Sequence, residues 1–104
     1  RPQADADSNV ISVDGIEMDI AAHQVKVDGE PIELSYKEFE LLNYFLQNRG
    51  VALSREKILN NVWNSDYFGD ARPIDTHVKK LRSKLGSKGD YIKTIWGMGY
   101  KFEG

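Results

Sequence analysis

The chain has 104 residues, no cysteine and a formal net charge of −2 at pH 7, with 40% hydrophobic and 29% charged residues. That length gives one domain with a sizeable core, and the missing cysteines exclude disulfide staples and thiolate metal sites. No apolar run reaches membrane-spanning length and the start does not resemble a signal peptide, so a cytoplasmic protein with no membrane partner is expected.

Residues 1–9, "RPQADADSN", have almost no apolar content and read as a linker or disordered lead-in to a domain covering 10–104. From 10 to 34 the texture is short β-rich runs, "VISV", "IEMDI", "HQVKV" and "PIEL", with Asp14-Gly15 and Asp28-Gly29 between them. Asp-Gly between alternating runs signals a hairpin, because a type I′ turn needs positive φ at both central residues. A four-stranded antiparallel sheet is expected, with Pro31 at an edge or a strand start.

At Ser35 the period changes. "SYKEFELLNYFLQNRG" opens with a capping box, Ser35 and Glu38, and repeats Phe39, Leu42 and Leu46 at helical spacing, joined by Leu41 and Phe45. Gly50 is the expected left-handed stop. "VAL" reads as a short strand, Ser54 as the cap of a second helix, "REKILNNVW", and "NSDYFGDA" as a loop. A third helix over 73–85 follows, completing a three-helix core across 35–85. After Gly86–Gly89, "YIKTIW", "GMG" and "YKF" read as strand, turn and strand, a terminal hairpin over 91–103.

Charge is distributed unevenly. Residues 1–71 hold six Lys/Arg against thirteen Asp/Glu, whereas 72–104 hold eight against three. Six basic side chains, His77 included, fall within "RPIDTHVKKLRSKL". On a helical wheel Val78, Leu81 and Leu85 lie within about 40° of Ile74, a narrow core stripe. Opposite them lie Thr76, Lys79, Lys80 and Ser83. Such a face suits a DNA major groove, since lysines donate to guanine O6 and N7 and hydroxyls reach either base type. Arg82, Lys84 and His77 flank it where cations would meet phosphate. A basic amphipathic helix with its polar side in water explains the same pattern, and by itself is commoner. A preceding helix linked by a loop, a following hairpin with Lys93 and Lys101, and the scarcity of acids in this third of the chain favour DNA.

An enzyme has little support: the chain has no phosphate loop and no Gly-x-Ser-x-Gly, and capping and solvation explain Glu38 and Glu40. His23 and His77 are too distant in sequence for a local metal pair. No catalytic residue, metal or cofactor is expected.

"LSYKEFELLNYFLQNRG", "LSREKILNNVW", "RPIDTHVKKLRSKL" and "IKTIWGMGYKFE" together resemble the OmpR/PhoB-type winged-helix domain, the DNA-binding output module of bacterial two-component response regulators. The resemblance runs from about residue 10 to the C-terminus, in order and spacing. It implies an α+β winged helix-turn-helix with a four-stranded N-terminal sheet, three helices and a hairpin wing carrying Lys93, Trp96, Gly97, Met98 and Gly99. It also implies a preceding phosphoacceptor receiver domain, served by a sensor histidine kinase in a phosphorelay, and binding to tandem direct repeats in promoter DNA. By position it gives Thr76, Lys79, Lys80 and Ser83 to bases, and Trp63, Arg72, His77, Arg82, Thr94 and Tyr100 to the DNA backbone. For Trp63 and Tyr100 core packing is the competing role. The loop Asn64, Ser65, Asp66, Tyr67, Phe68, Gly69, Asp70 and Ala71 matches one that touches RNA polymerase in some members. Two positions depart from the family: Trp96 stands where several members carry a groove-entering arginine, and Pro73 replaces a small polar residue at the helix start. The alternative reading is a winged-helix protein–protein interaction module that binds no DNA.

Overall fold

The computed structural model describes residues 10–63 and 72–103, with Arg72 and Pro73 described as backbone only. The expected linker 1–9 and the loop 64–71 lie outside the described residues. Four strands open the fold: β1 (Val10–Val13), β2 (Ile16–Asp19), β3 (Gln24–Val27) and β4 (Glu30–Ile32). They form an antiparallel sheet in the order β1-β2-β3-β4. The Asp-Gly turns make this possible as expected: Asp14 and Gly15 have φ of 48° and 92°, Asp28 and Gly29 of 52° and 85°. Alternation then sorts the faces. Val13, Ile16, Met18 and Val25 are buried, while Glu17 and Lys26 point to solvent. Pro31 sits in the edge strand β4, where its missing N–H breaks no ladder.

Helix α1 (Tyr36–Gln47) begins with the complete capping box: the Glu38 N–H donates to Ser35 Oγ at 3.2 Å, and the Ser35 N–H donates to Glu38 Oε1 at 2.9 Å. It ends at Asn48, before the position expected. Asn48 caps it with its backbone N–H on Phe45 O and its side chain on Tyr44 O. Gly50, at φ 79°, instead redirects the chain so that its N–H donates to Phe102 O.

The "VAL" segment yields only a two-residue strand, β5 (Leu53–Ser54), but a consequential one. With β6 (Ile92–Ile95) and β7 (Gly99–Phe102) it forms a second sheet in the order β5-β7-β6. The terminal hairpin is therefore welded to the body of the domain. Gly99 permits this: a Cβ there would lie 2.1 Å from Leu53 O.

Ser54 also caps α2 (Arg55–Ile58), accepting from the Lys57 N–H at 3.0 Å, and the helix continues as a π-helical stretch, Leu59–Trp63. The expected helix "REKILNNVW" is present with this change of winding. Helix α3 (Arg72–Leu85) starts one residue before the expected position and runs into a 3₁₀ helix, Gly86–Tyr91, that periodicity did not signal. Buried Gly89 packs there against α3, where a Cβ would meet Arg82 O at 2.3 Å.

One core joins these layers. Ile16 and Met18 from the first sheet, Leu41 and Phe45 from α1, Ile58 from α2 and Phe102 from β7 belong to a single buried cluster with the α3 stripe. Ile74, Val78, Leu81 and Leu85 are each at most 1% exposed. Burial on that scale contributes about 1.5–3 kcal/mol per side chain, which fixes the rotation of α3 about its axis.

Candidate nucleic-acid interface

Fixing that rotation decides what α3 shows to solvent. Thr76, Lys79, Lys80 and Ser83 are all exposed. Among the described residues, none makes a side-chain hydrogen bond or ion pair. The helix thus presents two hydroxyls and two ammonium groups directly behind a dry aliphatic stripe.

Arg82 and Lys84, also expected at DNA, are held by the protein itself. Arg82 is half-buried; its Nε donates to Ile92 O at 3.0 Å and its Nη2 to Thr94 Oγ1 at 2.8 Å. Arg82 and Thr94 thereby clamp β6 to α3. Lys84 departs further from expectation. Its Nζ lies 2.6 Å from Oε1 of Glu38, a carboxylate only 3% exposed. Its charge serves the junction of α1 and α3, so the proposed interface leaves Lys84 out. Glu38 in turn caps α1 and anchors α3 with one side chain. Burial pushes its carboxyl up, but the bonds and charge of Lys84 and the Ser35 backbone N–H more than offset this and hold it below the usual value.

Tyr100, expected at the DNA backbone or in the core, is packed into the core. Its ring is buried and its O–H donates to Asp75 Oδ1, which also accepts from Arg55 Nε at 2.9 Å. The Arg55 and Arg82 guanidinium groups lie 5.5 and 5.6 Å from the Tyr100 ring centre. Burial, reinforced by Asp75, raises the Tyr100 pKa, so the hydroxyl keeps the proton it donates. Residues from α2, α3 and β7 meet in this cluster, and none of its links was anticipated. The one hint in the sequence was an acid, Asp75, isolated in a basic helix.

Trp63 and His77 meet at the end of α2. The indole is 6% exposed and packs edge-on to the His77 ring at 5.0 Å. Core packing is thus a real role for Trp63. His77 Nδ1 is buried with no hydrogen-bond partner among the described residues. Burial is the main cause that lowers its pKa; Glu38 acts against it, while Lys80 and Lys37 reinforce it. Burial thus disfavours the charged ring that a phosphate contact by His77 calls for. Arg72 opens α3, but its side chain lies outside those described, as does the expected polymerase-contact loop 64–71.

At the hairpin, Lys93, Trp96, Gly97 and Met98 are exposed, and Gly99 is buried against β5. Among the described residues no group of three or more His, Cys, Asp or Glu side chains could hold a metal ion, and no helix is long and apolar enough to cross a membrane.

A helical core with a hairpin bound along the flank of an exposed basic helix defines a winged-helix domain. The sequence matches the family described as "Transcriptional regulatory protein, C terminal" over residues 29–102, and the chain belongs to that family, in its OmpR/PhoB-type branch. It is 43% identical over 104 residues to the sensory transduction protein RegX3 of Mycolicibacterium smegmatis, covering 97% of this chain and 46% of that protein. Among solved structures it is similar to the Thermotoga maritima response regulator DrrB, an OmpR/PhoB homolog, with TM-score 0.82, 33% identity, and coverage of 92% and 45% of the two chains. It is also similar to the DNA-binding domain of Klebsiella pneumoniae RstA, solved in complex with the RstA box, with TM-score 0.81, 30% identity, and coverage of 90% and 96%. The chain spans less than half the length of the curated relatives it matches.

Proposed function

We propose that this domain binds double-stranded promoter DNA sequence-specifically, placing α3 in the major groove, as the output domain of a two-component response regulator. The observation that carries the reading is the exposed quartet Thr76, Lys79, Lys80 and Ser83, unpartnered among the described residues and backed by a fully buried stripe. Two ammonium groups and two hydroxyls at helical spacing supply donors and acceptors for base edges. Arg82, Thr94, Asp75 and Tyr100 position that face by tying α3 to the hairpin, and Arg82 keeps donor capacity for a phosphate. Arg72, at the start of α3, is the further backbone contact.

In this reading a receiver domain, phosphorylated by a sensor histidine kinase, precedes the DNA-binding domain through residues 1–9. Its dimerisation pairs two domains on tandem direct repeats in the cytoplasm, and loop 64–71 faces RNA polymerase. Family membership and the names of the relatives support the receiver domain and the kinase; the polymerase contact rests on the position of residues 64–71 in the resemblance alone.

The test is selection of binding sites from a random duplex pool, followed by titration of a recovered duplex and a scrambled one across salt. Recovery of a repeated motif, with affinity falling steeply as salt rises, is expected. Equal affinity for selected and scrambled duplexes would leave only non-specific attraction. Absence of binding at low salt would favour a protein-interaction module.

A further inference from the structure

Among the described residues the two sheets have four edge strands, β1 and β4 in the first, β5 and β6 in the second. An edge offers unpaired N–H and C=O groups to any other strand, and folded proteins blunt such edges. Three of the four are blunted here. In β4, Pro31 removes the donor at the centre and Glu30 adds a charge. Strand β5 is two residues long and runs straight into the cap of α2. Strand β6 is covered by Arg82, whose Nε donates to Ile92 O and whose Nη2 donates to Thr94 Oγ1. Strand β1 differs from all three. Its sequence, "VISV", carries no charge and no proline, and no side chain among the described residues bonds to it.

The free groups of β1 can be assigned. The Asp14-Gly15 turn makes Val13 and Ile16 a hydrogen-bonded pair, and alternation along the ladder makes Ile11 and Met18 the next. Val10 and Ser12 therefore turn their N–H and C=O groups away from β2, and neither finds a backbone partner there among the described residues. Side chains alternate in step. Ile11 packs against the core, whereas Val10, 41% exposed, and Ser12 lie on the solvent face.

We propose that β1 pairs antiparallel with β1 of a second copy, about a two-fold axis through Ile11, joining two four-stranded sheets into one. In this register Val10 lies opposite the partner's Ser12, and Ser12 opposite the partner's Val10. Each of these pairs exchanges two hydrogen bonds, so every outward group of both strands is used. Ile11 meets the partner's Ile11 as a non-bonded pair, where side chains approach most closely, and carries the apolar face across the axis. Glu17 and the partner's Asp19 stand three strand spacings apart on the solvent face, about 14 Å, beyond the screening length at physiological salt. A foreign strand satisfies the same backbone groups, but only an identical one is matched in bonds, faces and charge at once. The pair is isologous, so its two α3 helices obey two-fold symmetry, that of an inverted repeat. Pairing at β1 and side-by-side occupancy of direct repeats are thus alternative states of two domains. The pairing belongs to the free protein and stands apart from the DNA-binding reading.

The experiment uses the full chain without DNA. Sedimentation equilibrium should show monomer giving way to dimer with a dissociation constant on the order of 10⁻⁴ M, as suits a small interface. Ser12→Pro deletes an outward donor and leaves the β1–β2 bonds in place; it should weaken association at least about tenfold and melt like wild type. Ile11→Cys and Val10→Cys each add the only thiol in the chain. At a non-bonded antiparallel pair the Cα atoms lie about 4.5 Å apart, within disulfide reach, so Ile11→Cys should oxidise to a covalent dimer the faster. Exposure alone gives the opposite order, since Val10 is the more exposed. A wild-type chain that stays monomeric up to about 1 mM, or association unchanged in Ser12→Pro, would overturn the proposal. Faster oxidation of Val10→Cys would overturn it too, by placing another surface at the contact. Should Ser12→Pro fail to fold, the cysteine pair decides.

Discussion

Helix α3 carries two populations of cations that look alike in the sequence and behave differently in the fold. Lys79 and Lys80 point to solvent and pair with nothing among the described residues. Arg82 and Lys84, two to four residues further on, are held by Ile92, Thr94 and Glu38. The difference comes from what lies beside each residue. The flanks of α3 face α1 and the β6–β7 hairpin, both of which offer acceptors, whereas the outer face meets no acceptor among the described residues. A count of positive charges on a helix therefore overstates its DNA-binding surface, and the neighbouring elements decide which charges remain available.

Substitutions on the different sides of α3 should separate these roles. The largest effect belongs to the inward side: Leu81→Ala should cost about 2–5 kcal/mol of stability, because Leu81 is fully buried and its truncation leaves a cavity in the core. Urea denaturation reads it, and a loss below about 1 kcal/mol would mean that α3 is not anchored by its stripe. On the flank, Lys84→Met leaves Glu38 buried with no cation and should cost about 1.5–3 kcal/mol. Glu38→Gln should cost less, since a neutral amide retains a bond to Ser35 at a smaller desolvation penalty. Melting curves check the ranking, and reversal would show that the Glu38 carboxylate contributes more than its pairing with Lys84. The same Lys84→Met protein should keep the wild-type salt slope for DNA; a flatter slope would return Lys84 to the interface.

The smallest effect is titration of the flank. The His77 pKa lies below 6.5, so the fold favours the neutral ring; that contribution is complete above pH 6.5 and is lost as pH falls toward the lowered value. The Glu38 carboxyl lies below 4.5, so its contribution is present above pH 4.5 and is lost as pH falls through its lowered value. Stability should therefore decline in two stages on acidification, and His77→Gln should abolish the upper one. Denaturation midpoints that stay level in wild type down to about pH 5 would contradict the burial assigned to His77.

What the sequence made legible and what it hid follow from range along the chain. Asp14-Gly15 and Asp28-Gly29 impose their turns through their own φ preferences, and Ser35 and Glu38 cap α1 across three residues. The α3 stripe needs only its own periodicity, so both the orientation of the helix and its exposed quartet could be read before the fold was seen. The partnership of Glu38 with Lys84 spans 46 residues, and that of Arg55 with Asp75 spans 20. No local pattern encodes either. Tyr100, Thr94 and Lys84 were legible as polar groups near the basic helix, but which of them the protein would occupy depended on packing between α1, α3 and β7. The short strand at "VAL" was read, but its pairing with β7 was hidden for the same reason: the two strands lie far apart along the chain, and the spacing that only Gly99 allows shows itself only when they meet. The π-helical end of α2 left no periodic trace in five residues.

The central claim is that the solvent side of α3 reads bases. The most direct measurement compares Lys79→Ala and Lys80→Ala with wild type on a selected duplex and on a scrambled one, with melting temperature as the control. Each variant should lose about 1–3 kcal/mol on the selected duplex, lose less on the scrambled one, and melt like wild type. Equal losses on both duplexes would show that these lysines meet only phosphate, and unchanged binding to both would contradict the account.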